Sequence, residues 1–179
     1  MQIYCLAYVA GILTIINPCI LPLVPITIGW VFWATKHQQP GWRADSGPCT
    51  VIGAGGGGRA VVYGLLEEGA KEVRLVNRTQ HKAERIAEDF NGPISVYPWK
   101  ERNSLLEGAM TVVNVTNQGM VGEAPLDITL EKLAPDALAA DIIYTPLESP
   151  FLAAAGKRQN RTVNGLGMLL HQGLSLIHI

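Results

Sequence analysis

The chain has 179 residues, 48% apolar and only 16% charged, with 14 basic against 15 acidic side chains. That length suits one domain with an appendage, since domains run roughly 100–200 residues, and the near-neutral balance argues against a nucleic-acid partner, which would call for a basic patch. Three cysteines (Cys5, Cys19 and Cys49) with no C-x-x-C pair exclude a disulfide framework.

Charge is unevenly distributed: no Asp, Glu, Lys or Arg precedes Lys36. Residues 1–35 are therefore predicted to be an apolar, transmembrane-type segment, long enough to cross a bilayer whose core needs about 20 apolar residues. No basic residue precedes the apolar run, so it is a poor signal peptide. Pro18, Pro22 and Pro25 lack an amide proton and would kink or stop any helix near Asn17. Trp30 and Trp33 stand near its far end, where interfacial aromatics are common. Residues 7–25, with Pro18-Cys19 and Pro22, resemble the first transmembrane helix of the cytochrome c biogenesis/thiol–disulfide transporter family. The resemblance implies a redox-active Cys19. Read from its own residues, Cys19 is an inert thiol, because reactivity needs a partner that lowers its pKa. A membrane contact through residues 1–35 is the partner this segment implies. Residues 36–48, polar with Pro and Gly at intervals, are expected to be a linker.

From Cys49 onward strands and helices alternate. Cys49–Gly53 reads as a strand, Ala60–Leu66 as a helix ending at Gly69, and Glu72–Val76 as a second strand. Ala83, Ile86, Ala87 and Phe90 give Gln80–Phe90 a helical period, stopped by Asn91-Gly92-Pro93. Ile94–Tyr97 is a third strand, Lys100–Glu107 a short helix and Met110–Val115 a fourth strand. Leu138–Ile143, a helix near Pro150–Ala155 and Arg161–Val163 complete the series. Parallel strands need long crossovers, so the alternation predicts an α/β fold: a Rossmann-like, doubly wound parallel sheet over residues 49–173.

The first turn carries G-x-G-x-x-G at Gly53, Gly55 and Gly58, between a strand and a helix as the motif requires. Gly53 allows the tight turn, Gly55 lets the backbone approach a pyrophosphate, and Gly58 lets helix and strand pack closely. At the end of the second strand, an NAD site would place an acidic residue. The chain has Asn77, Arg78 and Thr79, with Lys82 close behind. The Arg78 fork can pair with a 2′-phosphate and Lys82 adds a point charge, so NADP is the expected cofactor. Asn77 and Thr79 can donate hydrogen bonds, and Thr79 can cap the next helix.

These motifs, followed in order by residues 114–120 (Asn-Val-Thr-Asn-Gln-Gly-Met), 141–146 (Asp-Ile-Ile-Tyr-x-Pro) and 164–172 (Asn-Gly-Leu-Gly-Met-Leu-Leu-x-Gln), resemble shikimate dehydrogenase from about Gly41 to Gly173. The resemblance implies a cytoplasmic oxidoreductase of aromatic amino-acid biosynthesis that reduces 3-dehydroshikimate to shikimate with NADPH. It implies that Gly53, Ala54, Gly55, Gly56 and Gly57, with Gly58 behind them, hold the pyrophosphate. Asn77, Arg78, Thr79 and Lys82 would hold the 2′-phosphate, and Thr116 would lie beside the cofactor. Ile142 and Gly165 would line the nicotinamide site, while Tyr144 and Gln172 would touch shikimate or 3-dehydroshikimate. The family's catalytic Lys and Asp sit in an N-terminal substrate domain with no counterpart here, so no catalytic residue is assigned and the chain is expected to bind nucleotide without turnover. A quinate/shikimate dehydrogenase, a membrane thiol–disulfide carrier and a non-catalytic nucleotide sensor are the alternatives. Two resemblances in one polypeptide imply a composite chain, and residues 174–179 (Leu-Ser-Leu-Ile-His-Ile) read as an artefactual tail.

Overall fold

A computed structural model describes residues 41–167. The membrane-type segment with Cys19, the linker up to residue 40, Gln172 and the tail lie outside the described residues. At its centre is β1 (Cys49–Ile52), every residue of which is buried, as expected of a strand covered on both faces. β2 (Val73–Val76) pairs with it in parallel, placing Leu75 opposite Val51. β3 (Ile94–Tyr97) extends the sheet beyond β2. On the other side of β1 come β4 (Thr111–Asn114), β5 (Leu138–Asp141) and β6 (Arg161–Val163). All neighbours are parallel, in the order β3-β2-β1-β4-β5-β6. That is the doubly wound dinucleotide-binding order, and its direction reverses between β1 and β4, where such sheets open a crevice at the strands' carboxyl ends.

Strand side chains alternate between two cores. Val51, Leu75 and Val113 face α1 (Gly56–Glu67) and α2 (Gln80–Phe90), meeting Val61, Val62, Leu65, Ala83 and Ile86. Ile52, Val76, Val112 and Ala139 face the other way, toward α3 (Pro150–Lys157) with Phe151, Leu152 and Ala155. Glycine closes α1: the Gly69 amide donates to Leu66 O and that of Ala70 to Leu65 O, with Gly69 at φ +82. Asn91, in the left-handed conformation at φ 43, closes α2.

Several expectations need correction. Residues 100–107 form two 3-10 turns, Trp99–Glu101 and Ser104–Leu106, in place of one helix. Ser104 Oγ donates to Glu101 O at 2.7 Å, and Asn103 Oδ1 accepts from the Thr129 amide at 3.0 Å. The local Ser104 bond competes with helix formation, and the Asn103 bond ties the segment to a residue 26 positions on. Between β4 and β5, where the sequence predicts no element, the crossover contains no helix, and Leu126, Leu130 and Leu133 cover the sheet from irregular backbone. The expected linker also fails in its described part. Trp42 is 6% exposed, its indole N–H donates to Thr111 Oγ1 at 2.9 Å, and Ala44 joins the first core. Among the described residues no helix is long and apolar enough to cross a membrane; the expected membrane-type segment, residues 1–35, lies outside them.

Candidate nucleotide-binding site

The glycine turn is shaped by contact. Gly53 sits at φ +116, and a Cβ there would meet the Val115 and Thr116 side chains at 3.0 Å. A Cβ on Gly58 would lie 2.4 Å from Gly53 O, a backbone atom that cannot move aside. Gly55 differs, because a Cβ there meets nothing within 4 Å and its φ is −86. The protein's own packing does not require glycine at 55; open space above the turn is what its missing side chain preserves. α1 begins here with Gly55 as N-cap, no side-chain acceptor and no acidic residue in the first turn. The Ala54 amide is taken by Asn77 Oδ1 at 3.1 Å. The amides of Gly55, Gly56 and Gly57 have no protein acceptor among the described residues, so an anion can supply one.

The end of β2 supplies the charge. Arg78, Thr79 and Lys82 are exposed, and neither cation is ion-paired among the described residues. With the turn they border a cavity of about 320 Å³, also lined by Asn77 and by Thr116 beyond β4. No carboxylate among the described residues lines it. Asn77 does more for the protein than expected: besides accepting from Ala54, its Nδ2 donates to Thr79 O at 2.8 Å, tying the two loops together. Thr79 is the N-cap of α2 by position, yet its side chain makes no capping bond, which leaves the hydroxyl to the cavity. Trp99, Val115 and Asn117 complete the lining, and sequence reasoning missed all three. Trp99 had one usable signal: it lies just past the carboxyl end of β3, where ligands of such sheets bind.

Beyond β4 and β5 a buried polar network fixes the loops. Asn114 Oδ1 accepts from the Thr116 amide (3.1 Å) and hydroxyl (2.7 Å), while its Nδ2 donates to Asp141 Oδ1 at 3.1 Å. Asp141 also accepts from the Ile143 amide at 3.0 Å and the Ser149 hydroxyl at 2.5 Å. Ser149 Oγ in turn accepts from the Leu152 amide and caps α3. Burial raises the Asp141 carboxyl above its ordinary value of 3.8, and the bonds from Ser149, Ile143 and Asn114 act against that rise. Thr116 is thus oriented from beneath, through Asn114, by the strand that leads into Ile142.

Ile142 reaches the glycine turn: its Cδ1 would lie 3.3 Å from a Cβ on Gly57. Gly165 sits against the same segment, where any Cβ would be 2.0 Å from Ile142 O, and its amide donates to Ile143 O at 2.9 Å. Tyr144 is 40% exposed beyond them. Of the expected residues, Gly53, Ala54, Gly55, Asn77, Arg78, Thr79, Lys82 and Thr116 meet in the cavity. Gly56 and Gly57 open the adjoining helix, and Gly58 packs beneath the turn. Ile142, Gly165 and Tyr144 line the neighbouring β5–β6 edge, and Gln172 lies outside the described residues.

Fold and cavity define a Rossmann-like α/β domain whose crevice has a cationic flank beside a helix N-terminus. Residues 35–146 match the family Shikimate / quinate 5-dehydrogenase, and the chain belongs to that family. A shikimate dehydrogenase (NADP(+)) of Paracoccus denitrificans is 52% identical over 147 residues, covering 82% of this chain and 52% of the relative. One from Rhodospirillum rubrum is 49% identical over 142 residues, covering 77% and 50%. Among solved structures, the shikimate 5-dehydrogenase of Thermus thermophilus in complex with NADP(H) and shikimate superposes with a TM-score of 0.69 at 31% identity, over 83% of this chain and 53% of that one. The chain spans about half the length of the curated relatives it matches.

Proposed function

We propose that residues 49–173 are the NADP-binding half of a shikimate dehydrogenase, the enzyme that reduces 3-dehydroshikimate to shikimate. One observation carries this: a cationic cavity that no carboxylate among the described residues lines, beside a helix N-terminus whose first amides have no acceptor among those residues. When bound, NADPH supplies the hydride. The chain's part is to bind and orient. The amides of Gly55, Gly56 and Gly57 face the pyrophosphate, and the open space at Gly55 admits it. Arg78 and Lys82 hold the 2′-phosphate with Thr79, and Thr116 borders the cofactor. Ile142 and Gly165 shape the nicotinamide end and Tyr144 the substrate side; the family resemblance assigns Gln172, outside the described residues, to substrate contact as well.

Hydride transfer needs the substrate at near-attack distance, and among the described residues no Lys–Asp pair lines the cavity. Nucleotide binding without turnover is therefore expected of the chain by itself. The test is a hybrid joining residues 49–173 to the N-terminal half of the Paracoccus denitrificans relative, assayed with shikimate and NADP+. Shikimate-dependent reduction is the expected result. A hybrid that folds and binds NADPH but shows no turnover contradicts an enzymatic role and favours a nucleotide sensor.

We infer further that residues 1–35 are a membrane-type segment of separate origin, joined to a dehydrogenase domain that belongs in the cytoplasm. The family match begins at residue 35, immediately before the first charged residue, Lys36. DNA reads across the codons for residues 30–45 test this. Uninterrupted reads from independent isolates would remove the junction.

A further inference from the structure

The cations and glycine amides of the cavity can hold phosphates, but neither offers an aromatic face to a flat, uncharged base. Trp99 does, and among the described residues it is the only aromatic side chain in the lining. Pro98, extended at φ −67 and ψ 148, carries the chain from β3 into the turn that begins with Trp99. The residue therefore stands at the carboxyl end of β3, on the flank of the sheet next to β2 and Arg78, where ligands of such sheets lie.

Its ring is held in advance. Arg102 Cζ lies 5.0 Å from the ring centroid, within range of a cation–π contact. Arg102 Nη1 donates to Trp99 O at 3.1 Å, and the guanidinium is also bonded to the backbone and carboxylate of Asp127. The Arg102 side chain is only 14% exposed. The indole also packs against the second core, so ordering it for a ligand costs little further side-chain entropy.

Resting on the assignment of this cavity to the 2′-phosphate end of an NADP site, we propose that Trp99 is the wall on which the adenine base lies, with Arg102 as the residue that positions it. The base is joined to the same ribose whose 2′-phosphate Arg78 and Lys82 hold, which confines it to this small cavity. Trp99 then contributes affinity for the adenosine half without affecting the choice between phosphorylated and unphosphorylated ribose.

The test titrates the full chain calorimetrically with adenosine 2′,5′-bisphosphate and with NADPH, comparing the parent with Trp99→Leu and Trp99→Phe. Both replacements keep an apolar group against the second core, and thermal melting confirms folding. Trp99→Leu is expected to weaken both ligands by about ten-fold, as loss of one base–aromatic stack does, while Trp99→Phe stays close to the parent. Parent-like affinity in Trp99→Leu overturns the role of Trp99 and leaves the NADP site standing. Equal losses in both variants also overturn it, because a phenyl ring keeps an aromatic face. A parent that binds neither ligand overturns this proposal together with the NADP assignment beneath it.

Discussion

Two glycines of the turn do different work, and substitution separates them. In Gly58→Ala the new methyl would lie 2.4 Å from Gly53 O. Relieving that overlap costs about 1–3 kcal/mol, as overpacking does, so the melting temperature is expected to fall. Gly55→Ala meets nothing, so it should melt like the parent but lose NADPH binding, because the methyl occupies space the pyrophosphate needs. A Gly55→Ala variant that binds normally contradicts the placement of the phosphates. Cys49 allows a check on the core: burial pushes its thiol up to about 11, and the thiolate is the reactive form. Peptide mapping after alkylation at a pH of about 8, below the ordinary thiol value, is expected to find Cys49 unmodified in the folded protein and modified after denaturation. Labelling of Cys49 in the folded protein would count against the strand's burial.

At the scale of elements, the buried network joining β4, β5 and α3 concentrates its polar bonds on Asp141. Ser149→Ala removes a donor to that carboxylate and the cap of α3 together. It is expected to lower stability by about 1–3 kcal/mol in urea titrations. The carboxyl of Asp141 is raised above 3.8 in the fold, chiefly by burial, so the folded state holds its proton more tightly than the unfolded chain. Its contribution to stability is therefore complete below pH 3.8 and is lost as pH rises through the higher folded value. Asp141→Asn has no proton to lose and should flatten that part of the stability profile. An unchanged slope would show that Asp141 titrates normally. In the β4–β5 crossover, Leu133 is fully buried, and Leu133→Ala should cost about 2–5 kcal/mol; a cost below about 1 kcal/mol would mean that this segment does not seal the second core.

Seen across the whole molecule, legibility in the sequence follows periodicity. β1, the glycine turn and α2 are readable because an apolar run, a fixed glycine spacing and a 3.6-residue period each have one physical meaning. The charge at the end of β2 is readable because Arg78 and Lys82 fall where an NAD site would place an acid. The β4–β5 crossover is not, since Leu126, Leu130 and Leu133 seal the second core from irregular backbone between Pro125 and Pro135. Trp42 is hidden in a polar run, its burial depending on a bond to Thr111, 69 residues away. Trp99 is hidden because its place beside Arg78 exists only once β3 lies next to β2. Contacts of long sequence separation leave no local pattern.

In the proposed site Arg78 and Lys82, beside an open helix N-terminus, select a phosphorylated dinucleotide. Calorimetric titration of the chain with NADPH and with NADH, repeated on Arg78→Ala, tests this selection most directly. Saturable NADPH binding is expected to be at least about ten-fold tighter than that of NADH, as loss of one charged hydrogen bond would imply, with the gap closing in Arg78→Ala. Equal affinity for the two nucleotides, or tighter binding of NADH, would contradict it.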